Sequence, residues 1–328
     1  MVRRSRNVFG LVMVTPLLLM SIAIGKMTGA NGATMPSLLD VRQRSLHVAA
    51  SRDVPKNTST LLASIEGVKT KGLSKDPILK KCESGYCAFD LGGSKPSDGS
   101  LKVYMVGDSH IDMWIPAVYS ALRSSKVHLQ ARWAPGCPIA DVVLWGISNG
   151  AAYDETCRAW RTKVELTVTA SQPDYVILSE RTSTLYAAPN ERLTTNQIQA
   201  GLERTIREFT SRGIGVVVIG DFPPFSAWQN PASCVSVNLK TLSHCATSIV
   251  SSSLDFQSLS VGERAATAST GATFIDTTPW LCDLLTQRCP AVVDDKIAYE
   301  DSSHISVSTS WQLAPLMNAA LQPALKRR

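Results

Sequence analysis

A chain of 328 residues and 35.4 kDa, 44% hydrophobic and 18% charged, carries enough apolar material for a sizeable core and too much for a disordered protein. Its net charge of +6 rests partly on Arg3, Arg4 and Arg6 at one end and on Lys326, Arg327 and Arg328 at the other, and only 6% of residues are aromatic. A nucleic-acid binder would gather Lys and Arg on one face with aromatics among them, so the composition argues against that class of partner.

Residues 8–25, VFGLVMVTPLLLMSIAIG, form an almost unbroken apolar run behind the three arginines. That layout predicts a signal-anchor or signal peptide over residues 1–25. The run is just long enough to span a bilayer and no clean small-x-small cleavage site follows it. An uncleaved membrane helix is therefore the first reading, and cleavage with secretion the alternative. In both, the positive flank stays inside and the rest of the chain is periplasmic or extracellular. Residues 26–80 are polar and poorly patterned and predict a stalk or linker.

From residue 81 to 328 the pattern is that of one α/β domain. Strands are predicted at 102–107, 127–133, 174–179, 215–220 and 272–276. Helices are predicted at 111–125, 154–170, 195–212, 252–268 and 306–325. Short apolar runs alternating with helices predict a three-layer sandwich around a mostly parallel central sheet. The eight cysteines fall into four sequence-local couples: Cys82 and Cys87, Cys137 and Cys157, Cys234 and Cys245, Cys282 and Cys289. With no C-x-x-C among them, a zinc ribbon or thioredoxin site is not expected, and four local disulfides in an oxidising compartment are. The spacing leaves the connectivity open.

Two stretches carry residues suited to chemistry. Gly107-Asp108-Ser109-His110 follows the first strand of the domain and opens a helix. A serine there stands at the carboxyl end of a parallel strand, where its own backbone N–H and the helix N-terminus face whatever its hydroxyl attacks. The plainer reading is a strand-to-helix turn with an N-cap. Asp301-Ser302-Ser303-His304 precedes the last helix. A serine nucleophile needs a base and the base an orienting acid. Of the five histidines, His47 lies in the stalk, His128 inside a strand and His244 beside a cysteine. His110 adjoins the serine and is expected to point away from it, which leaves His304 as the best-placed base. No metal site and no cofactor is expected.

These two blocks, together with Val103-Tyr104-Met105-Val106-Gly107 and Ala134-Pro135-Gly136-Cys137-Pro138, resemble the SGNH (GDSL-like) hydrolase superfamily. They are most similar to the extracytoplasmic SGNH domain fused to acyltransferase-3 membrane proteins that O-acetylate envelope polysaccharides. The resemblance implies an SGNH (flavodoxin-like) sandwich with Ser109 as nucleophile, His304 as base and Asp301 as its orienting acid. It implies an oxyanion hole at the backbone N–H of Ser109 and of Gly136. The superfamily's Gly-x-Asn after the middle strand is absent here, where Ser179-Glu180-Arg181 stands instead. Either Arg181 supplies that donor or the hole is smaller. The expected activity is transfer of an acyl group, most simply acetyl, to an envelope polysaccharide or glycan. A multi-span membrane acyltransferase or an extracytoplasmic acyl donor would supply the acyl group, because cytosolic acetyl-CoA does not reach an exported serine. A carbohydrate O-acetyl esterase and a non-catalytic glycan-binding protein are the alternatives. The Asp221-Phe222-Pro223-Pro224-Phe225 loop reads equally as an acceptor lining or a rigid connector. Trp114, Trp133, Trp145 and Trp160 read mostly as packing residues.

Overall fold

The computed structural model describes residues 53–71, 76–93, 99–146, 150–183, 185–225, 230–249 and 254–325. The apolar run at residues 8–25 lies outside them, as does most of the expected stalk. Among the described residues no helix is long and apolar enough to cross a membrane.

A six-stranded sheet forms the centre. Its strands in chain order are β1 (Tyr86–Leu91), β2 (Leu101–Gly107), β3 (Val127–Trp133), β4 (Tyr175–Ser179), β5 (Gly215–Ile219) and β6 (Thr273–Ile275). Their spatial order is β1-β3-β2-β4-β5-β6, and every pair is parallel except the edge pair β1 and β3. The edge strand β1 was not among the predicted strands. It is short, begins inside the Cys82–Cys87 loop and alternates exposed with buried residues, because only one of its faces is covered.

The helices that frame the sheet and the site are α1 (Thr58–Lys71), α2 (Ser109–Leu122), α3 (Ala151–Ser171), α4 (Thr195–Thr210), α5 (Leu254–Thr270), α6 (Val307–Gln312) and α7 (Ala314–Ala324), with two short helices at Pro231–Val237 and Thr278–Leu281 besides. They cover both sides of the sheet, which explains the continuous apolar strands. Val103, Met105, Ile177, Val217 and Ile219 point into one core with α1, α2 and α7. Tyr104, Val106, Val176, Leu178, Val216 and Val218 point into a second core with α3, α4 and α5. Helix α4 starts at a capping box, with Thr194 and Gln197 each bonding the other's backbone N–H.

Two expectations need correction. Residues 58–71 are not part of an extended lead-in: α1 buries Leu61 and Ile65 completely or nearly so in the first core. The single helix expected over 306–325 is two, α6 and α7, joined at Leu313. Pro315 in the first turn of α7 lacks the N–H needed to continue the helix through this point. All four local cysteine couples are disulfides, 82–87, 137–157, 234–245 and 282–289.

Candidate active site

The register of the sheet brings the site together. Gly107 at the end of β2 pairs with Trp133 of β3 on one side and Ser179 of β4 on the other. The segments after these strands therefore emerge side by side. A Cβ on Gly107 would lie 1.8 Å from the Ser179 carbonyl oxygen, so only glycine permits this approach. The chain then turns into α2. Asp108 is the N-cap, and its Oδ1 accepts from the His110 N–H at 2.8 Å. Ser109 is the first residue of the helix, with its N–H among those the helix leaves unpaired.

His304 comes to Ser109 from the other end of the chain. The loop that carries it is closed by Glu300 N–H donating to His304 O at 2.9 Å. Inside the loop Asp301 Oδ1 accepts from Ser303 N–H at 2.7 Å and His304 N–H at 2.8 Å. Asp301 Oδ2 lies 2.8 Å from His304 Nδ1, and His304 Nε2 lies 2.8 Å from Ser109 Oγ. Burial pushes the Asp301 carboxyl up. The bonds and charge from His304 and the N–H groups of Ser303 and His304 outweigh this and hold it well below the usual carboxylate range. An ionised Asp301 only accepts, so Nδ1 carries the proton and Nε2 accepts from the serine hydroxyl.

Two further contacts seat the His304 loop. Phe225 N–H donates to Ser302 O at 2.7 Å, and all of residues 221–225 are buried. Of the two readings of that loop, the rigid connector is the one these contacts match. On α2, Pro116 interrupts the backbone ladder, and Ala117 N–H donates to Ser310 Oγ of α6 at 3.2 Å.

Gly136 sits in a tight turn after β3, tied to the end of β2 by Ala134 N–H on Gly107 O at 3.2 Å and closed by Cys137 N–H on Ala134 O at 3.0 Å. Its φ is +76°, and a Cβ there would lie 2.4 Å from Tyr153 Oη, so this position too requires glycine. Tyr153 O–H donates to the Gly136 carbonyl, turning that oxygen toward α3. Among the described residues the N–H groups of Ser109 and Gly136 have no hydrogen-bond partner. Arg181 is tied to the same place through its backbone, whose N–H donates to Asp108 Oδ2 at 2.9 Å, and its buried side-chain Nε has no partner among the described residues. The structure thus joins Ser109, His304 and Asp301 by hydrogen bonds. It gathers Gly136 and Arg181 at the same sheet edge.

Behind this front lies a buried polar layer that the sequence did not disclose. His110 points away from Ser109, as expected, and its Nδ1 lies 3.0 Å from Asp221 Oδ1, with both side chains almost fully buried. Asp221 Oδ2 accepts from Thr182 N–H at 3.0 Å, which ties the end of β5 to the end of β4. Burial pushes Asp221 up, but the His110 charge and bond outweigh it and hold the carboxyl low. Burial pulls His110 down, and the Asp221 carboxylate reverses that. Glu180 turns inward, where its Oε2 accepts from Ala140 N–H at 2.7 Å and burial pushes its pKa up to about 7. Glu263 of α5, fully buried, is raised well above the usual value by burial and by the charges of Asp221 and Glu180. Sequence offered one usable signal for this layer: Asp221 stands at the end of the strongest strand. Asp112 was also missed. It lies three residues after Ser109 and so on the same helical face. Burial pushes it up to about 6, with the His304 charge opposing and the Glu300 charge adding.

Asp276, which follows β6, is a turn residue: its Oδ1 accepts from Thr278 N–H at 3.1 Å and its Oδ2 from Arg264 at 2.7 Å. Trp114 is wholly buried, while Trp133, Trp145 and Trp160 are half-buried. Among the described residues no group of His, Cys, Asp and Glu side chains is arranged to hold a metal ion.

No curated protein matches the chain. Among solved structures it is similar to the periplasmic domain of a lipopolysaccharide acetyltransferase from Salmonella ser. Paratyphi A. That match has 13% identity and a TM-score of 0.54, and it covers 88% of this chain and 98% of that one. At this identity the likeness speaks for the fold alone. An acetyl xylan esterase from Geobacillus stearothermophilus matches more loosely, with 14% identity, a TM-score of 0.40 and coverage of 73% and 100%. Residues 72–319 match the SGNH domain found fused to AT3 domains, and the chain belongs to that family.

Proposed function

We propose that the protein is an exported O-acyltransferase that moves an acyl group, most simply acetyl, onto a hydroxyl of a cell-envelope glycan through an acyl-Ser109 intermediate. The observation that carries this reading is the unbroken chain of hydrogen bonds from Ser109 through His304 to Asp301, made by residues 195 positions apart. Ser109 Oγ attacks the carbonyl carbon of the donor ester while His304 Nε2 takes its proton. The charge that develops on the carbonyl oxygen is met by the N–H groups of Ser109 and Gly136, with Arg181 at their edge. Collapse of the tetrahedral intermediate breaks the donor's ester bond, and His304 returns its proton to the departing alkoxide. A sugar hydroxyl then gives its proton to His304, attacks the acyl-Ser109 carbonyl and leaves with the acyl group as Ser109 regains its proton. Asp301 holds His304 in the tautomer both halves need and stabilises the imidazolium between them.

The family supports the acyl-transfer reading, because its SGNH domains accompany AT3 domains. In the proposal the donor is presented outside the cytoplasm by a multi-span membrane partner. The apolar run behind Arg3, Arg4 and Arg6 anchors this chain to the same membrane. The four disulfides agree with an exported location. The test is intact-protein mass after brief exposure to p-nitrophenyl acetate, with released acetate measured in the same sample. One acetyl adduct, or acetate release, in the wild type and neither in Ser109→Ala is the expected result. The same result for both proteins, or no reaction in either, overturns the proposal.

A further inference from the structure

A groove of about 680 Å³ lies between α1 and the C-terminal block that carries His304. This size is within the range of small-molecule sites. Its walls are α1, including Ser64 and Gly67, the Asp76-Pro77 turn, Lys296, Glu300 and the first turns of α6 with Ser308 and Trp311. The helix is fastened over the groove at two places. Ile297 N–H donates to Ser64 Oγ at 2.9 Å, and the Asp295 carboxylate accepts from the N–H groups of Lys56 and Asn57 at 2.9 and 2.8 Å.

We infer that this groove is the subsite for the acceptor glycan, an inference that rests on the acyl-transfer reading above. Three observations carry it. The groove adjoins the reacting groups: Glu300 in its wall immediately precedes Asp301, and its backbone N–H closes the His304 loop. The Glu300 charge also reaches Asp112, on the serine's own helix face, where the His304 charge is felt as well. The aromatic surface is pre-set. Trp311 Nε1 donates to Asp76 Oδ2 at 2.8 Å, and its ring meets Tyr119 edge-on at 6.2 Å, so the indole is fixed from two sides before anything binds. The chemistry of the lining suits a sugar chain. An indole receives the C–H faces of pyranose rings, and serine hydroxyls, an ammonium and a carboxylate receive their hydroxyls. Lys296 and Glu300 bring both signs of charge, so the groove is not a collector of polyanions.

Gly67 gives a clean way to close the groove. It lies in the wall on α1, and a Cβ built there meets nothing within 4 Å, so Gly67→Leu adds bulk to that wall with no clash at Cβ. The experiment uses the full chain and oligosaccharides released from the source cell envelope by mild acid and freed of O-acyl groups with dilute alkali. Binding is read by calorimetry, and uptake of acetyl by Ser109 from p-nitrophenyl acetate is read by mass. The wild type is expected to bind, with Gly67→Leu and Trp311→Ala weakened about tenfold or more. Acetyl uptake by both variants should stay within about twofold of wild type, since the small ester needs no groove. Binding by Gly67→Leu as tight as wild type, or no binding by the wild type, overturns the inference. Groove-dependent binding without acetyl uptake in any protein would instead overturn the enzymatic reading and leave the groove a glycan site.

Discussion

Two histidine–aspartate pairs flank the turn that carries Ser109, and they differ in everything except their chemistry. His304 Nδ1 is 2.8 Å from Asp301, and His110 Nδ1 is 3.0 Å from Asp221. The first pair is wetted, its side chains 19% and 48% exposed, and its second ring nitrogen meets Ser109 Oγ. The second pair is sealed at 2% and 0%, and its ring stacks on Phe222 with centroids 5.8 Å apart. The rings of the two histidines meet at 5.2 Å. A His–Asp pair therefore does not define a reactive site. What separates the two is access to solvent and substrate, and a hydroxyl within reach of the free nitrogen. The sealed pair is cross-bracing for the strand ends on which the open pair depends.

Substitutions should separate the two pairs. The largest expected effect is on activity at the open pair. Asp301→Asn removes the acceptor that fixes the His304 tautomer, and acyl transfer should fall by roughly 10³–10⁴-fold. Its thermal midpoint should fall less than that of Asp221→Asn, because Asp301 is half-exposed and an asparagine oxygen still accepts from the Ser303 and His304 N–H groups; steady-state rate and calorimetry on one preparation check both. The sealed pair should show the reverse. Asp221→Asn leaves a buried histidine without its counter-charge and should lower stability by about 3–5 kcal/mol, with acetyl uptake per folded molecule largely kept.

That stability loss should depend on pH, and the sign follows from the shifts. The folded pKa of His110 is raised, so its contribution is full below the ordinary ~6.5 and is lost as pH rises through the folded value. The folded pKa of Asp221 is lowered, so its contribution is full above the ordinary ~3.9 and is lost as pH falls through the folded value. Urea melts of wild type and Asp221→Asn should therefore differ most between about pH 4 and 6.5. A difference that is flat with pH would show that the pair is not charged in the folded protein.

A smaller effect tests Glu180, the carboxyl that braces the Ala140 turn. Its folded value of about 7 lies above the ordinary glutamate value, so wild-type stability should decline as pH rises from about 4.5 to 7. Glu180→Gln keeps the acceptor for Ala140 N–H and removes the ionisation. Relative to wild type it should gain on the order of 2 kcal/mol between pH 5 and 8. No relative gain would mean that the carboxyl is charged at little cost.

Much of this molecule was legible from the residues alone. Continuous apolar runs at 103–106, 175–178 and 215–219 announced strands covered on both faces, and they are the three adjacent strands β2, β4 and β5. The two motif blocks named Ser109, Asp301 and His304, because a serine at a strand end and an Asp-x-x-His loop are local patterns. The helix at 58–71 was not legible. Its apolar stripe is only Leu61, Ile65 and Val68, Leu62 faces solvent beside it, and so short a stripe in a polar stretch does not say that a core lies within reach. The break at Leu313 has a local cause in Pro315.

Periodicity and residues close together in the chain were enough for most of the elements, their alternation and the kinds of chemistry on offer, but not for β1, α1 or the break at Leu313. Short loops made four local disulfides the expectation, and the folded chain fixes their connectivity. Only the tertiary structure decided which of two similar His–Asp pairs is open and which is sealed. It alone laid α1 beside the His304 block to make a groove, and set Gly136 and the Arg181 backbone at the edge where Ser109 emerges. Those outcomes depend on strand order and register, which place residues far apart in the chain side by side, and on burial, which a residue acquires only from its neighbours in space.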